Sequence, residues 1–424
     1  MSWLVFIMCL IISLIINLKI FKDVMYPGVL FCIPWLIFSL ILPISKLNFN
    51  ASSNCYLYLA CGVVAFEIGC LAIQKKIMLY ERLKENKYKI NVNYSILKLL
   101  MCIEIIFFIF VLYRYYILIH YNYTINVLQT YSLNKNELEN EGLISYGRNV
   151  FLALGTCIII GYSRIENKEK NTYRKYMIFQ TIIMIIMAIT RMSRNGMLFS
   201  MLPILISYII VTKQQNTKVI KKIVLFLIFF LILFFGFSVL KFFYEYTDKN
   251  SYINNFKKQF LIYGCGGIVA LQQMFDKGNI VQYNGLNTFR FFIAIYDKMF
   301  NSNYAKTLVQ DFISIGNGVT TNVYTFYQYY INDFGYIYAI LMQFLIGMFH
   351  GISYKKMSQM KNYWIYIFSF SVYPLAMQFF QDQYVSLIST WIQILVLGFI
   401  FLRTNLIFRS YPIQERQING EKNE

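Results

Sequence analysis

Apolar runs of about twenty residues, the length an α-helix needs to cross the ~30 Å hydrocarbon layer of a bilayer, recur along this chain in close succession. Eleven can be marked, at 2–18, 24–45, 54–74, 96–119, 146–163, 174–190, 195–212, 219–243, 333–352, 363–380 and 384–402. Lipid offers no partner to a backbone N–H or C=O, so a spanning segment must satisfy its own groups. Continuous runs therefore imply helices, and the lack of alternation argues against a barrel. With 58% hydrophobic and only 14% charged residues, the chain has too little polar surface for a soluble protein. The expected fold is an all-α polytopic membrane protein of about eleven transmembrane helices, one transmembrane domain over 1–424, with a large loop at 244–332 between the eighth and ninth spans.

A net charge of +19 would suggest nucleic acid in a soluble chain. Here most lysines and arginines crowd into the connections 19–23, 75–95, 164–175, 213–222, 353–362 and 403–424, which are alternate connections in the eleven-span scheme. Basic residues in short loops mark the cytoplasmic side. The expected topology thus has the N-terminus outside, the C-terminus cytoplasmic and the 244–332 loop outside. The run from Trp3 to Leu18 lacks a basic flank and an obvious cleavage site, and is expected to be a retained first span. A second outer segment, Tyr121 to Ser145, has the makings of a helix on the membrane surface. Within the large loop, Ile268 to Phe275 reads as a short helix after a flexible Gly264-Cys265-Gly266-Gly267. No CxxC or Cys/His spacing points to a metal, and no cofactor is expected.

The candidate chemistry lies in the outer connections. Arg191 and Arg194 stand three residues apart in Thr190-Arg191-Met192-Ser193-Arg194-Asn195-Gly196, where the charge rule disfavours arginine. Guanidinium groups stay ionised and bind phosphate oxygens in pairs of hydrogen bonds, so two at the outer surface suit a pyrophosphate; snorkelling to headgroups is the competing reading. Arg290, among Phe289, Phe291 and Phe292, offers a third phosphate contact or an interfacial cation-π anchor. Arg114 lies near the outer end of the fourth span, a site candidate by its position or a snorkelling side chain. Asp333 and Asp382 stand at outer span mouths, where a carboxylate can serve as general base for a sugar hydroxyl; for Asp333 an N-cap is the alternative. Glu67 and Glu104 sit at similar depth in the third and fourth spans, either relaying protons or forming a structural pair. His350 is placed toward the cytoplasmic side, and His120 lies at an interface.

The text from Thr321-Asn322-Val323-Tyr324 to Asp333-Phe334-Gly335, followed by an apolar span with Gly347 and Lys355-Lys356, resembles the Wzy-type oligosaccharide repeat-unit polymerases of O-antigen and capsule assembly. The Arg191–Gly196 turn followed by a span is similar too. The resemblance implies a metal-independent glycosyltransferase of GT-C-like fold in the bacterial cytoplasmic membrane. Its substrates would be undecaprenyl-pyrophosphate-linked oligosaccharides, and its partners the bilayer, a chain-length regulator and a flippase. By this likeness Arg191, Arg194 and Arg290 hold the pyrophosphate. Arg114, Asn322 and Tyr324 are further substrate contacts, with Tyr327 and Gln328 available for sugar stacking and hydrogen bonding, and Asp333 is the candidate catalytic carboxylate. The large loop lacks the histidine that the related ligases use. A lipid-linked oligosaccharide flippase or other transporter is the alternative, motivated by Glu67, Glu104 and the many spans, although no internal repeat supports it. A surface-glycan acyltransferase, resting on His350 alone, comes third.

Overall fold

The computed structural model describes residues 1–73, 88–121, 142–166, 168–190, 193–212, 218–225, 228, 258, 260–278, 283–305 and 312–412. Its helices are α1 (Ser2–Phe21), α2 (Pro27–Ile41), α3 (Cys55–Ala72), α4 (Tyr94–Tyr121), α5 (Gly142–Gly161), α6 (Lys170–Thr190) and α7 (Arg194–Val211), followed by α8 (Gly267–Lys277), α9 (Arg290–Phe300), α10 (Tyr327–Phe334), α11 (Tyr336–Ser358), α12 (Asn362–Ala376) and α13 (Ile388–Arg403). Two short antiparallel pairs accompany them: β1 (Tyr88–Val92) with β4 (Phe408–Pro412), and β2 (Ile313–Gly316) with β3 (Val319–Thr321).

Six helices among the described residues are long and apolar enough to cross a membrane. They coincide with the expected runs at 2–18, 24–45, 54–74, 96–119, 146–163 and 333–352. The shorter apolar helices at Asn195–Val211 and Ile388–Arg403 match two more, and α6 and α12 occupy the runs at 174–190 and 363–380. The expected span at 219–243 falls largely outside the described residues, as do 122–141 of the expected surface segment.

The tightest crossing joins α3 to α11. A methyl group on Gly347 would overlap the carbonyl oxygen of Phe66, and one on Gly69 would overlap that of Phe344. Small residues let two backbones come this close where lipid provides no hydrophobic drive for helices to associate. Close approach makes dispersion between the helices the main cohesive force.

The helix in the run expected at 333–352 does not start at 333. Helix α10 ends at Phe334, and Gly335 takes φ 86° and ψ 179°, a conformation open essentially only to glycine, before α11 begins at Tyr336. Residues Tyr327 to Asp333 are all buried. The helix in the last expected run likewise begins later, at Ile388. The chain from Met377 to Gln383 forms an inward-packed, non-helical segment rather than a plain turn.

Much of the 244–332 stretch is built into the bundle. Ile268, Val269, Ala270 and Leu271 of α8 are fully buried. The glycine run before them is a packing device, not a flexible linker: Ile262–Gly266 winds as a π-helix, Gly264 faces the ring of Phe38, and a Cβ on Gly267 would stand 2.9 Å from the carbonyl oxygens of Phe379 and Phe380. The 46–53 connection joins the same end, with the Asn50 amide donating to Gln272 Oε1 (3.0 Å) and the Ser53 hydroxyl to Asp276 (2.6 Å). At the opposite end, the Tyr354 hydroxyl donates to Asp23 (2.7 Å), the Arg164 guanidinium to the Met360 carbonyl, and Lys355 to the Ile73 carbonyl (3.3 Å).

Candidate functional site at one end of the bundle

Asp333 organises this end. Its Oδ2 accepts from the Thr288 amide (2.6 Å) and hydroxyl (2.7 Å), and its Oδ1 from the Asn287 amide (3.3 Å) and side-chain amide (2.9 Å). The Tyr283 amide adds a bond to the Asn332 carbonyl (2.8 Å). Asp333 is the next-to-last residue of α10, so it is no N-cap; its carboxylate fastens the 283–289 loop to the helix pair α10–α11. Four donors on a buried carboxylate leave little lone-pair capacity for a substrate hydroxyl. The arrangement fixes the loop at Asn287 and Thr288, two residues before Arg290 opens the next helix.

Arg290 opens α9. The guanidinium is half-buried, and its Nη1 lies away from solvent with no hydrogen-bond partner among the described residues. Burial lowers its pKa from the ordinary value, against an opposing pull from Tyr329. A buried donor without an acceptor costs about 1–3 kcal/mol, a cost removed when an anion supplies the acceptor. Next to the Asp333 clasp, a cavity of about 10 Å³ is lined by its donors Asn287 and Thr288 together with Tyr329, Tyr330, Asp382, Val385 and Ser386. Gln381 donates to the Tyr329 hydroxyl (3.1 Å).

Asp382 is buried rather than displayed at a mouth. It accepts from the Tyr330 hydroxyl (3.1 Å) and from the amides of Tyr384 (3.3 Å), Val385 (3.0 Å) and Ser386 (3.0 Å). Side chain–to–backbone bonds of this kind fix the non-helical turn that leads into α13.

The remaining sequence candidates are scattered. Arg191 lies outside the described residues, and Arg194 is the first residue of α7, behind Ser193, whose hydroxyl caps the Gly196 amide (3.4 Å). The start of α7 shares this end of the bundle: Phe199 meets Trp391 edge-on at 5.6 Å, and the Trp391 indole donates to the Gln383 carbonyl (2.9 Å). Arg114 is half-buried on α4, which packs on α5. His120 lies on the last turn of α4. Asn322 is half-buried and Tyr324 buried, just beyond the β2–β3 hairpin. Tyr327 is core rather than a sugar platform, its ring set against Trp35 (6.3 Å) and Tyr58 (5.5 Å) and directly over Gly62.

Glu67 and Glu104 are not a pair. Glu67 accepts from Ser13 (2.6 Å) and Asn17 (2.8 Å) of α1, whereas the fully buried Glu104 faces Gln180 of α6. His350 is fully buried, with Nε2 2.9 Å from the hydroxyl of Tyr384, whose amide bonds to Asp382.

Sequence reasoning passed over Arg148. It is buried in the second turn of α5 and lines a water-sized cavity of about 20 Å³ with Asn149, Met184, Met187 and Ser200. Asn149 continues inward to Gln393 (3.0 Å). An arginine inside an apolar run was the available signal, masked by its place near the head of the run.

Among the described residues no group of His, Cys, Asp and Glu could hold a metal ion. No family model, curated protein or solved structure matches the chain.

Proposed function

We propose that the protein polymerises oligosaccharide repeat units carried on undecaprenyl pyrophosphate at the outer face of the bacterial cytoplasmic membrane, as the Wzy-type enzymes it resembles do. The observation that carries the reading is Arg290: a guanidinium with a buried donor that has no partner among the described residues, at a helix boundary next to the Asp333 clasp. Arg148 lines a cavity at the same end, where Arg194 opens α7. Cations at a membrane boundary fit a diphosphate whose lipid tail stays in the bilayer.

The reaction needs little from the protein beyond charge and geometry. A hydroxyl of the acceptor repeat attacks the anomeric carbon of the donor glycan, the bond from that carbon to the pyrophosphate oxygen breaks, and the electron pair leaves on undecaprenyl pyrophosphate. The hydroxyl proton passes to solvent or to a phosphate oxygen. Arginines stabilise the leaving charge, and fixing the two sugars supplies the rest. Asp333 acts here by placing Arg290, and no general base is assigned.

The transporter reading keeps two supporting observations: Glu67, within α3, has its Oε2 buried and without a hydrogen-bond partner among the described residues, and so do both oxygens of Glu104, within α4, as buried proton-relay carboxylates can. The two readings separate in cells. Arg290→Ala is expected to insert normally and to leave single repeat units on the surface without long chains, and Arg290→Lys is expected to be impaired as well, because lysine lacks the paired donors. Accumulation of lipid-linked repeats inside the cell would favour the transporter. Normal chain length in Arg290→Ala would remove the diphosphate clamp.

A further inference from the structure

Helix α9 has an apolar stripe that no described part of the protein covers. Phe292, Ile295, Tyr296, Met299 and Phe300 follow the i, i+3, i+4, i+7, i+8 spacing of a single helical face. In a globular fold such a face turns to the core. Here the five residues are 54%, 45%, 49%, 70% and 62% exposed, and no residue of the helix is buried. The half-buried residues are Arg290, Phe291, Ile293 and Asp297, a mixed side. The continuous five-residue apolar face is the one that points away from the protein.

This face continues the exposed apolar surface of a membrane-length helix. The residue before α9, Phe289, sets its ring edge-on to Phe334 at 6.0 Å. Phe334 stands at the mouth of α11, a membrane-length helix whose Ile337, Leu341 and Leu345 form an exposed apolar line at four-residue intervals. From Leu345 through Ile337, Phe334 and Phe289 to Phe292, exposed apolar side chains run without a break from span to helix. After α9, Asp297 accepts from the Ser302 hydroxyl (2.7 Å) and from the amides of Tyr304 (3.0 Å) and Ala305 (2.7 Å), a turn that brings Tyr304 to 6.4 Å from Tyr296. Two tyrosines side by side at the edge of an apolar face suit the headgroup level of a bilayer.

We infer that α9 is an interfacial helix, lying in the membrane surface at the boundary where α11 begins, with the Phe292–Phe300 face in the acyl region and the Asp297–Lys298 edge toward water. Its partner is the lipid bilayer itself, and the Asp333 clasp fixes the depth at which its first residue, Arg290, sits. The inference rests on the membrane-spanning character of α11, not on the polymerisation reading, and stands or falls separately from it.

The full-length protein in lipid nanodiscs provides the test. Met299→Trp and Lys298→Trp are exposed, adjacent positions, one on the apolar face and one on the polar edge, and each adds one indole to the four native tryptophans. In nanodiscs of phosphatidylcholine brominated high on the acyl chain, the added emission of Met299→Trp is expected to fall at least about twofold relative to unbrominated lipid, and that of Lys298→Trp to change by less than half as much. Equal quenching at the two positions would overturn the inference, because it removes the sidedness. So would an unquenched Met299→Trp, and blue-shifted emission with a chemically cross-linkable dimer would in that case assign the face to a second copy of the chain.

Discussion

Replacing Asp333 with alanine takes one carboxylate away from four donors, two of them backbone amides. The Thr288 amide and hydroxyl are buried and lose their acceptor without access to water, whereas the half-buried Asn287 can partly rehydrate. An orphaned buried donor costs about 1–3 kcal/mol, so the two at Thr288 set a local loss of about 3 kcal/mol. That corresponds to roughly a hundredfold faster opening of the 283–289 loop, at about 1.4 kcal/mol per decade. Hydrogen–deuterium exchange on the peptide spanning 284–292, with the protein in nanodiscs, reads this directly. Asp333→Asn should recover part of the protection, because its one remaining oxygen can accept from one donor while its amide group faces the others. Asn287→Ala combined with Thr288→Val should shorten polymer products as Asp333→Ala does, since both release Arg290. Unchanged exchange at Thr288 in Asp333→Ala, or full polymer length in the double variant beside an inactive Asp333→Ala, would refute the positioning role and return Asp333 to direct chemistry.

Packing and charge set two further expectations. Gly347→Ala sets a methyl group against the Phe66 carbonyl and should cost about 1–3 kcal/mol, lowering the thermal midpoint in detergent; an unchanged midpoint would mean that small residues do not set the α3–α11 spacing. Arg148→Gln keeps a polar side chain at the α5 cavity while removing its charge, and should reduce chain elongation in membranes without lowering protein abundance; normal elongation would exclude Arg148 from the site.

The spans were legible because apolar length alone specifies a membrane helix, and α1 to α5 lie close to the runs that announced them. The boundaries at 333 and 384 were not, since hydropathy does not register a helix break inside an apolar stretch. Gly335 carries that break by its backbone conformation, and Asp382 holds the second one by bonds to amides two to four residues further on. The 244–332 stretch has the hydropathy of a loop because α8 is too short to span, yet a helix of that length with buried leucine and isoleucine packs into the bundle. Tyr327 shows a limit of another kind: an aromatic residue near a span boundary has the same sequence signature whether it meets lipid, sugar or protein. The hairpin turn at Asn317-Gly318 was readable in principle, since both residues take positive φ and this pair favours a two-residue turn. Arg290 was found from its charge, but the clasp that holds it joins residues some 45 positions apart in sequence, a contact that spacing cannot reveal.

Reconstitution tests the central claim most directly. Purified protein in nanodiscs would be given a synthetic repeat unit on undecaprenyl pyrophosphate, with glycan length and released undecaprenyl pyrophosphate measured together. One carrier released for each repeat added, with both signals lost in Arg290→Ala, is the expected result. Repeat units that remain single while the wild-type protein is folded and lipid-bound would contradict it.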